Sequence, residues 1–568
     1  MNNVDDARAL FFEALAFLDE ADFQAAEVRL RQALRLSPDN PAILTNLSVA
    51  LLQQGKRTDA GEFATKATVA DPRNVEALLV LADCHTHAGD LASALETYNR
   101  ITAIEPGIAE VHNNRGLIFH RLARPAEALA SCEQAISLSP GMSDAHVNRG
   151  NALSALGRRD DALAAYDQAL ALNPDRAEAQ LGRGNLLCDA SCYDEALAAY
   201  DRALALNPGL AEARLGRGNL LCRMKRFDDA LADYDEALTL DRTLAGAELG
   251  RGNALRERKQ NQEALRAYDA ALTLRLDLAE AHLGRGDALY DLKRYHEALA
   301  AFDRAIALKI SLANAWLGRG DALRVMGKVA DAIPAYRQAL ALGGNADTIH
   351  YSLAALGAEP SPALSPQSYI VGLFDMYAET FDRDLVDKLN YQSPRLLAQL
   401  IAQTVPPDAR LDILDIGCGT GLMGERLRAL KRTLTGVDLS SNMLEQARRR
   451  GIYDRLIESD IAVFLDTQTD QFNLTVSTDV FIYVGDLTGI FAGVRRALRS
   501  DGLFCFSVEA VDAGDFVLRP TLRYAHSLAY LSRLAEQNSF AVMTVEPHAV
   551  RREREASIAG YNIVMRCC

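Results

Sequence analysis

The sequence has few aromatic residues and no excess of positive charge. Only 7% of its 568 residues are Phe, Trp or Tyr, and Trp316 is the single tryptophan. A large core therefore has to be built mainly from small aliphatic side chains. The formal net charge is −15, and both sides of residue 357 are acidic. This disfavours general electrostatic binding to nucleic acid or to an anionic membrane surface.

Leader-like and membrane-spanning segments are missing as well. The N-terminal sequence has no basic stretch followed by an apolar one, and no apolar run reaches about 18 residues, so we expect neither a secretory signal nor a membrane helix. The nine cysteines are scattered, and their spacing does not favour a metal site. These features predict a cytoplasmic protein with reduced thiols, no metal and no membrane association.

In contrast, the sequence is rich in internal repetition. A phrase that begins RGNALSALG at Arg149 returns in similar form at Arg183, Arg217 and Arg251, always 34 residues later. Extending this register gives ten units across residues 7–346. A small residue stands near the middle of the first half of each unit, and an alanine follows 12 positions later. Small residues at fixed positions let two helices approach closely, so each unit is expected to be a helix pair.

This period and these columns resemble tetratricopeptide repeats, which are helix–turn–helix units of 34 residues. The resemblance implies an all-α superhelix whose first helices line a groove for a peptide or partner protein. One polar column fits a role in partner binding: Asn151, Asn185, Asn219, Asn253, Asp287 and Asp321. The four asparagine amides could hydrogen-bond an extended peptide backbone, or they could instead be solvated or bonded to a neighbouring helix.

The pattern changes after the repeats. We expect the array to end at residue 346, a closing helix and a Pro/Ser-rich linker to occupy 347–368, and a second domain to follow over 369–568. In that last part, helices alternate with short β-rich apolar runs, which indicates an α/β domain. We predict strands near 411–416, 433–438, 456–460, 472–478, 502–508, 541–545 and 561–566, the last two antiparallel to each other.

A glycine-rich turn and two carboxylates follow the first strands of this domain. The turn reads DIGCGTG over residues 415–421, and its glycines allow tight turning and close approach of a ligand. Asp438 ends the second strand, where a carboxylate can bond both hydroxyls of a ribose. Asp460 ends the third strand and could reach the amino group of an adenine. The arrangement predicts a nucleoside site at the carboxyl ends of the strands.

This motif resembles class I S-adenosylmethionine-dependent methyltransferases more than dinucleotide-binding enzymes, whose turn reads G-x-G-x-x-G. The resemblance covers about 369–568 and implies a Rossmann-like sheet of seven strands that binds S-adenosylmethionine. The segments FDMYAETFD, STDVFIYVGDL and RYAHS look like a bacterial subfamily that fuses tetratricopeptide repeats to such a domain.

The resemblance also implies individual site residues. Those expected to bind the cofactor are Asp415, Gly417, Cys418, Gly419, Gly421, Asp438, Leu439, Met443, Asp460, Ile461, Ser477 and Tyr377. Tyr377 and Phe381 could form a lid, although ordinary packing under an amphipathic helix explains them equally well. The candidate catalytic residues are His526, Asp479 and Tyr483, with Asp486 and Glu509 as further candidate bases and Tyr524 as a wall of the acceptor pocket.

The expected function is therefore methyl transfer from S-adenosylmethionine to an unidentified acceptor, with the repeats recruiting a protein partner or substrate. The fourth strand ends without an (N/D)-P-P-(Y/F) tetrapeptide, which in related enzymes accompanies methylation of DNA adenine or glutamine. Two alternatives stay open. The protein could be a non-catalytic scaffold with a cofactor-binding domain, or it could methylate a small molecule and use the repeats for localisation.

Overall fold

We describe a computed structural model that covers residues 3–377, 392–553 and 556–568. The chain divides into two compact units, Met1–Arg275 and Leu276–Cys568. The second unit contains the last two repeats together with the α/β domain. Among the described residues, no helix combines the length and the apolar character needed to span a membrane.

The first unit consists of helix pairs in the predicted 34-residue register, so the repeats are confirmed. Its helices are α1 (Asn3–Asp19), α2 (Phe23–Leu36), α3 (Pro41–Gln53), α4 (Arg57–Ala70), α5 (Val75–Ala88), α6 (Leu91–Ile104), α7 (Ala109–Arg121), α8 (Pro125–Leu138), α9 (Ser143–Ala155), α10 (Arg159–Leu172), α11 (Ala177–Asp189), α12 (Tyr193–Leu206), α13 (Ala211–Arg223), α14 (Phe227–Leu240), α15 (Ala245–Glu257) and α16 (Asn261–Leu274).

Glycines in consecutive first helices form slots for tyrosine rings. A Cβ atom on Gly150 would lie 2.6 Å from the ring of Tyr166, and one on Gly182, in the next repeat, would lie 2.3 Å from the same ring. Tyr200 fills the equivalent slot one repeat later. Because interiors are close-packed, a methyl group at these glycines would displace the ring. The glycine columns therefore reflect ring packing between adjacent repeats.

Arginines of one repeat pair with aspartates of the preceding repeat. Arg183 Nε lies 3.1 Å from Asp167 Oδ1, and Arg217 Nη1 lies 2.6 Å from Asp201 Oδ1. These aspartates are more than half exposed, so each pair contributes little to stability. The repeats are held mainly by the apolar contacts.

The second unit begins with the last two repeats and the predicted closing helix. The repeats comprise α17 (Ala279–Asp291), α18 (Tyr295–Leu308), α19 (Ala313–Val325) and α20 (Val329–Ala341), and the closing helix is α21 (Ala346–Ala355). After the Pro/Ser-rich segment comes α22 (Gln367–Tyr377). The N-terminal end of α21 is capped by Asn345, whose side chain accepts the N–H of Thr348.

The α/β domain is built on a largely parallel sheet. Its strands are β1 (Leu411–Ile416), β2 (Lys431–Asp438), β3 (Arg455–Glu458), β4 (Phe472–Ser477), β5 (Leu498–Ala510), β6 (Phe516–Leu518), β7 (Tyr524–His526), β8 (Phe540–Glu553) and β9 (Ala556–Cys567). Strands β3, β2, β1, β4 and β5 are adjacent in that order and parallel, and β9 lies antiparallel to both β5 and β8. All seven predicted strands are present.

Two short strands were not predicted. Strands β6 and β7 form an antiparallel hairpin, and β7 continues the sheet beside the end of β5. Each has three residues, which is too short for a periodic pattern to be recognised in the sequence. This hairpin matters because its turn reaches the cavity described below.

Helices cover both faces of the sheet. They are α23 (Ser393–Thr404), α24 (Leu422–Leu427), α25 (Ser441–Arg450), α26 (Ile461–Asp466), α27 (Thr488–Ala497) and α28 (Leu528–Gln537). One apolar cluster includes Phe491, Phe504 and Phe506, and another includes Leu397, Ile401 and Val476. Because both faces are buried in this way, the polar groups needed for a site collect at the strand ends.

Candidate functional site

A cavity of about 410 Å³ opens at the carboxyl ends of the parallel strands. Residues that follow β1, β2 and β3 form one part of its lining, which includes Gly417–Thr420, Asp438, Leu439, Asp460 and Ile461. Most of the rest is formed by residues that follow β4 and by the Pro/Ser-rich segment, α22 and the hairpin turn: Thr478–Val480, Ile482–Val484, Leu364, Ser365, Gln367, Ile370, Phe374 and Arg523. In open α/β sheets, ligands bind at this edge, outside the carboxyl ends of the strands.

The glycine turn after β1 has three residues with positive φ. Gly417, Gly419 and Gly421 have φ of 71°, 52° and 91°, a region that L-residues with a side chain rarely adopt. A Cβ on Gly417 would lie 2.2 Å from Val480, whereas one on Gly419 would have no atom within 4 Å. Gly417 therefore serves packing, and Gly419 leaves open space where a ligand can approach the backbone.

Asp438 joins this turn to the end of β2. Its Oδ2 accepts the N–H of Gly419 at 2.8 Å, and its Oδ1 accepts the N–H of Ser440 at 3.0 Å. Burial raises the pKa of Asp438, an effect that these backbone donors oppose. Because each carboxylate oxygen can accept a second hydrogen bond, both remain able to bind hydroxyl groups of a ligand.

Asp460 caps the N-terminal end of α26 at the opposite edge of this part of the cavity. Its Oδ1 accepts the N–H groups of Ala462 at 2.8 Å and Val463 at 3.2 Å. The second carboxylate oxygen is not used by the cap. An amino group, such as that of adenine, is the complementary partner for this oxygen.

Asp415 lies beneath the glycine turn and is fully buried. Its Oδ2 accepts the hydroxyl of Tyr453 at 2.6 Å, and its Oδ1 has no hydrogen-bond partner in the structure. Burial raises the pKa of Asp415 to about 7. A buried carboxylate oxygen without a partner is costly, so this group is a natural support for a ligand or an ordered water under the turn.

The remaining predicted cofactor residues divide into two groups. Cys418, Leu439 and Ile461 line the cavity, whereas Met443 and Ser477 are buried behind it. Ser477 Oγ donates to the carbonyl of Ile416 at 3.2 Å, and Gly421 is the N-cap residue of α24. These positions support the wall of the cavity. Tyr377 is the last residue of α22, but its side chain and Phe381 lie outside the part of the chain that the structure describes.

Two of the three candidate catalytic residues line the cavity. Asp479 and Tyr483 do so, and the Asp479 backbone has φ of 56°, in the left-handed region that aspartate adopts more readily than most residues with a side chain. Ser507 Oγ donates to Asp479 Oδ1 at 2.9 Å and accepts the Asp479 N–H at 2.8 Å. Tyr483 packs edge to face with Phe374, with ring centroids 5.4 Å apart.

His526 occupies a different environment. It lies in β7, is completely buried, and is absent from the described lining of the cavity. Its Nε2 lies 3.0 Å from the carbonyl oxygen of Gly485, and burial lowers its pKa to about 4. This geometry favours the structural interpretation of a lone buried histidine over a role as general base.

The other candidate bases are also engaged in structural contacts. Asp486 accepts the Thr488 N–H at 2.9 Å and the Tyr530 hydroxyl at 3.0 Å, contacts that hold it beside the first residue of α27. Glu509 is buried and its Oε2 accepts Arg519 Nη1 at 3.0 Å. Neither residue is part of the described cavity lining.

Sequence reasoning missed the part of the lining contributed by the Pro/Ser-rich segment and the hairpin turn. Leu364 forms an antiparallel bridge with Val484, and Ser365 donates its N–H to the carbonyl of Tyr483 at 3.1 Å. The prolines of this segment were interpreted as a sign of a linker. The segment does connect the repeats to the α/β domain, but it is hydrogen-bonded to that domain along residues 364 and 365.

In the first unit, the predicted partner-binding asparagines contact tyrosines of their own repeats. The hydroxyl of Tyr166 donates to Asn151 Oδ1 at 2.6 Å, and that of Tyr200 donates to Asn185 Oδ1 at 2.7 Å. Asn219 and Asn253 have the same contact. The oxygen of each amide is therefore held inward, and its NH₂ group is left to face away from the tyrosine.

The two aspartates that continue this column belong to the second unit. Asp321 Oδ1 accepts the hydroxyl of Tyr336 at 2.8 Å and Arg324 Nη2 at 3.1 Å. At the repeat of Asp287, a phenylalanine, Phe302, replaces the tyrosine. The column is thus chemically different in the last repeats.

Comparisons with known proteins agree with this division of the chain. A family model described as a methyltransferase domain matches residues 414–506. Models described as tetratricopeptide repeat match residues 17–68, 51–116, 109–141, 147–211, 211–244, 249–314 and 317–359. Together the repeat models cover more than half of the 568 residues.

Individual relatives are similar over shorter stretches. Malonyl-acyl-carrier protein O-methyltransferase of Geobacter sulfurreducens is 40% identical over 118 residues, which are 20% of this chain and 43% of that protein. Methyltransferase-like protein 27 of Homo sapiens is 44% identical over 85 residues, or 15% of this chain and 34% of that protein. The chain thus spans less than half the length of either relative.

A solved tetratricopeptide repeat protein from Parabacteroides merdae is 21% identical, with a TM-score of 0.39, and covers 44% of this chain and 99% of its own. The assignment of the family rests on the repeat register, the α/β sheet and the matching family models. The chain belongs to the tetratricopeptide-repeat proteins and carries a methyltransferase domain in its C-terminal part.

Proposed function

We propose that this protein is an S-adenosylmethionine-dependent methyltransferase that transfers the methyl group to a carboxylate oxygen of its acceptor. We also propose that its repeats recruit a protein. The observation that carries the proposal is the preset contact between the glycine turn and Asp438 at the edge of the cavity. The residues of that edge fit three parts of the cofactor, which are its methionine part, its ribose and its adenine.

The open space at Gly419 gives the methionine part of the cofactor access to the backbone. Asp438 has capacity for two ribose hydroxyls, and the second oxygen of Asp460 suits the adenine amino group. The unpartnered oxygen of Asp415 lies below the same turn. When bound there, S-adenosylmethionine supplies a methyl group activated on a positively charged sulfur.

A carboxylate acceptor suits the other part of the cavity. Among the described residues that line it, Arg523 alone carries a positive charge, and arginine is well suited to carboxylate binding. An ionised carboxylate needs no general base, which agrees with the buried position of His526 and the hydrogen bond between Asp479 and Ser507. The similarity to an O-methyltransferase that acts on a malonyl group supports the same class of acceptor.

The asparagine column supports recruitment of a protein by the repeats. Because each tyrosine hydroxyl occupies the amide oxygen, the NH₂ groups are oriented as hydrogen-bond donors. Asn185, Asn219 and Asn253 are exposed. Donors repeated over four successive helix pairs suit the carbonyl groups of an extended peptide, and such binding would not depend on the peptide's side chains.

Methyl labelling tests this proposal. Wild-type protein and the Asp438→Ala variant are incubated with S-adenosylmethionine that carries a tritiated methyl group, together with a cell extract. Above the label that the extract incorporates alone, we expect labelled product only with the wild type, and release of that additional label as volatile methanol in mild base, because methyl esters are hydrolysed there. Additional label that is stable in base contradicts a carboxylate acceptor, and equal labelling by both proteins contradicts the proposed cofactor site.

A further inference from the structure

The closing helix of the repeats shares a buried apolar cluster with the hairpin of the methyltransferase domain. Tyr351 of α21 is only 2% exposed and packs with Leu518, Leu522 and Tyr524. Its ring centroid lies 6.4 Å from that of Tyr524 and 5.3 Å from that of Tyr369 in α22. The end of the repeat array is therefore packed directly against the domain within the second unit.

The hydroxyl of Tyr351 joins two segments of the cavity wall. It lies 3.0 Å from the carbonyl oxygen of Leu522 and 2.6 Å from Ser365 Oγ. The carbonyl can only accept, so the single proton of Tyr351 goes to Leu522 and the Ser365 hydroxyl donates to Tyr351. Ser365 and Arg523, which follows Leu522, both line the cavity. Tyr351 of the closing helix thus joins two segments of the cavity wall through one hydroxyl group.

Further hydrogen bonds fix the same two segments. The hydroxyl of Tyr524 donates to the carbonyl of Pro362 at 2.8 Å, and the N–H of Gly485 donates to the carbonyl of Ala363 at 2.8 Å. Together with the bridge between Leu364 and Val484, these bonds tie the Pro/Ser-rich segment between the hairpin and the loop after β4. A free spacer would have none of these bonds.

Contacts from the last repeat and the closing helix hold the hairpin turn in an unfavourable backbone conformation. Leu522 has φ of 62°, in the left-handed region that a leucine rarely adopts. Arg324 of α19 donates from Nη1 to the carbonyl of Pro520 in the same turn at 2.8 Å. Contacts from the last repeat and from Tyr351 thus stabilise the turn that carries Arg523, since strained backbone persists only where its surroundings enforce it.

We propose that Tyr351 is a positioning residue of the methyltransferase site, and that the closing helix is a built part of the cavity wall. Tyr351 acts through Ser365 and the Leu522–Arg523 turn, and its own side chain does not line the described cavity. Ligand binding in the cavity then stabilises the closing helix, and loss of the Tyr351 hydroxyl removes this coupling between the cavity and the helix. The inference uses the proposed function only in choosing S-adenosylhomocysteine, the demethylated cofactor, as the probe.

Hydrogen exchange on the full chain tests this coupling. With saturating S-adenosylhomocysteine, amides of α21 in the wild type should exchange at least about threefold more slowly, because ligand binding suppresses openings of the unit it stabilises. In Tyr351→Phe, the amides of the turn at 417–421 should still be protected by the ligand, but those of α21 should not. Ser365→Ala, which removes the other hydroxyl with less change in packing, should give the same result.

Tyr200→Phe is the matched control. Tyr200 is also 2% exposed and also loses one hydroxyl contact, with Asn185 in the first unit, so the ligand effect on α21 should remain. The proposal is overturned if the ligand protects the 417–421 turn but leaves α21 of the wild type unchanged. It is equally overturned if both Tyr351→Phe and Ser365→Ala retain the effect on α21.

A ligand-free comparison separates this proposal from the proposed function. If S-adenosylhomocysteine does not bind at all, the proposed function fails, and the exchange rates without ligand decide the coupling. Amides of 362–365 and 516–526 should then exchange about threefold or more faster in Tyr351→Phe than in Tyr200→Phe, since the wall segments lose their shared hydrogen bond. Equal rates in these segments overturn the positioning role.

Discussion

The N–H group of Gly419 donates a hydrogen bond to Oδ2 of Asp438 at 2.8 Å. This contact joins the turn after β1 to the end of β2. A site arranged in advance loses less conformational entropy when it binds. The glycine turn and Asp438 therefore act as one unit, and changes in either should weaken the proposed binding of S-adenosylmethionine.

Asp460 should determine the preference for adenine. In Asp460→Asn, the side-chain oxygen can still cap α26, but an NH₂ group replaces the carboxylate oxygen that would accept from the adenine amino group. We expect binding of S-adenosylhomocysteine to weaken by about tenfold. Binding of the inosine analogue, which has a carbonyl at that position, should be weakened less or improved. Calorimetry with both ligands measures this, and an unchanged ratio of affinities would refute the role of Asp460.

The tyrosine slots should make certain glycines of the repeats irreplaceable. In Gly182→Ala, the new methyl group would lie 2.3 Å from the Tyr166 ring, so we expect a loss of about 1–3 kcal/mol in the free energy of unfolding. Gly141→Ala is the control, because no atom lies within 4 Å of the added methyl group. Urea unfolding of both variants measures the difference, and equal stabilities would argue against the slot.

Asp415 should give stability an unusual dependence on pH. Burial raises its pKa to about 7, whereas an unfolded aspartate titrates near 3.9. Between these values the folded protein holds more protons than the unfolded one, so this group's contribution is full below about pH 4 and is lost as the pH rises to about 7. Its slope is at most about 1.4 kcal/mol per pH unit.

Asp415→Asn removes this titration. Denaturant unfolding between pH 4 and pH 8 should show the wild type losing stability relative to the variant as the pH rises, with no further relative change above about pH 8. Parallel curves for the two proteins across that range would show that Asp415 titrates normally in the fold.

His526 should make the opposite contribution. Burial lowers its pKa to about 4, so the folded protein keeps it neutral, whereas the unfolded chain binds a proton near pH 6.5. Its contribution to stability is present above about pH 6.5 and is lost as the pH falls towards 4. His526→Gln should lessen this loss in acid denaturation experiments. If the imidazole resonance that is lost in His526→Gln titrates near 6.5 in the folded wild type, the buried, neutral histidine is contradicted.

The sequence predicted the repeats well because most units repeat a similar environment. The residue at the position of Gly150 meets the same ring in successive repeats, so the pattern is visible without a structure. The turn at 415–421 and Asp438 were predictable for a related reason, since local backbone geometry after a strand restricts the residue types. These positions are encoded by short-range relationships.

The parts that sequence could not predict depend on contacts between distant residues. Tyr351 and Leu522 are 171 positions apart along the chain, and no periodic pattern links them. The three-residue strands of the hairpin give no recognisable alternation, and the prolines before α22 resemble those of any spacer. His526 has an ordinary composition around it, and only its complete burial argues against a catalytic role.

The most direct test of the proposed function is titration calorimetry of the full-length protein with S-adenosylmethionine. We predict saturable binding at one site, with affinity reduced at least about tenfold in Asp438→Ala. Asp466→Ala, which removes an exposed carboxylate paired with Arg496, should leave the affinity unchanged. Absence of binding by the wild type, or equal affinity of Asp438→Ala, would contradict a cofactor site at the glycine turn.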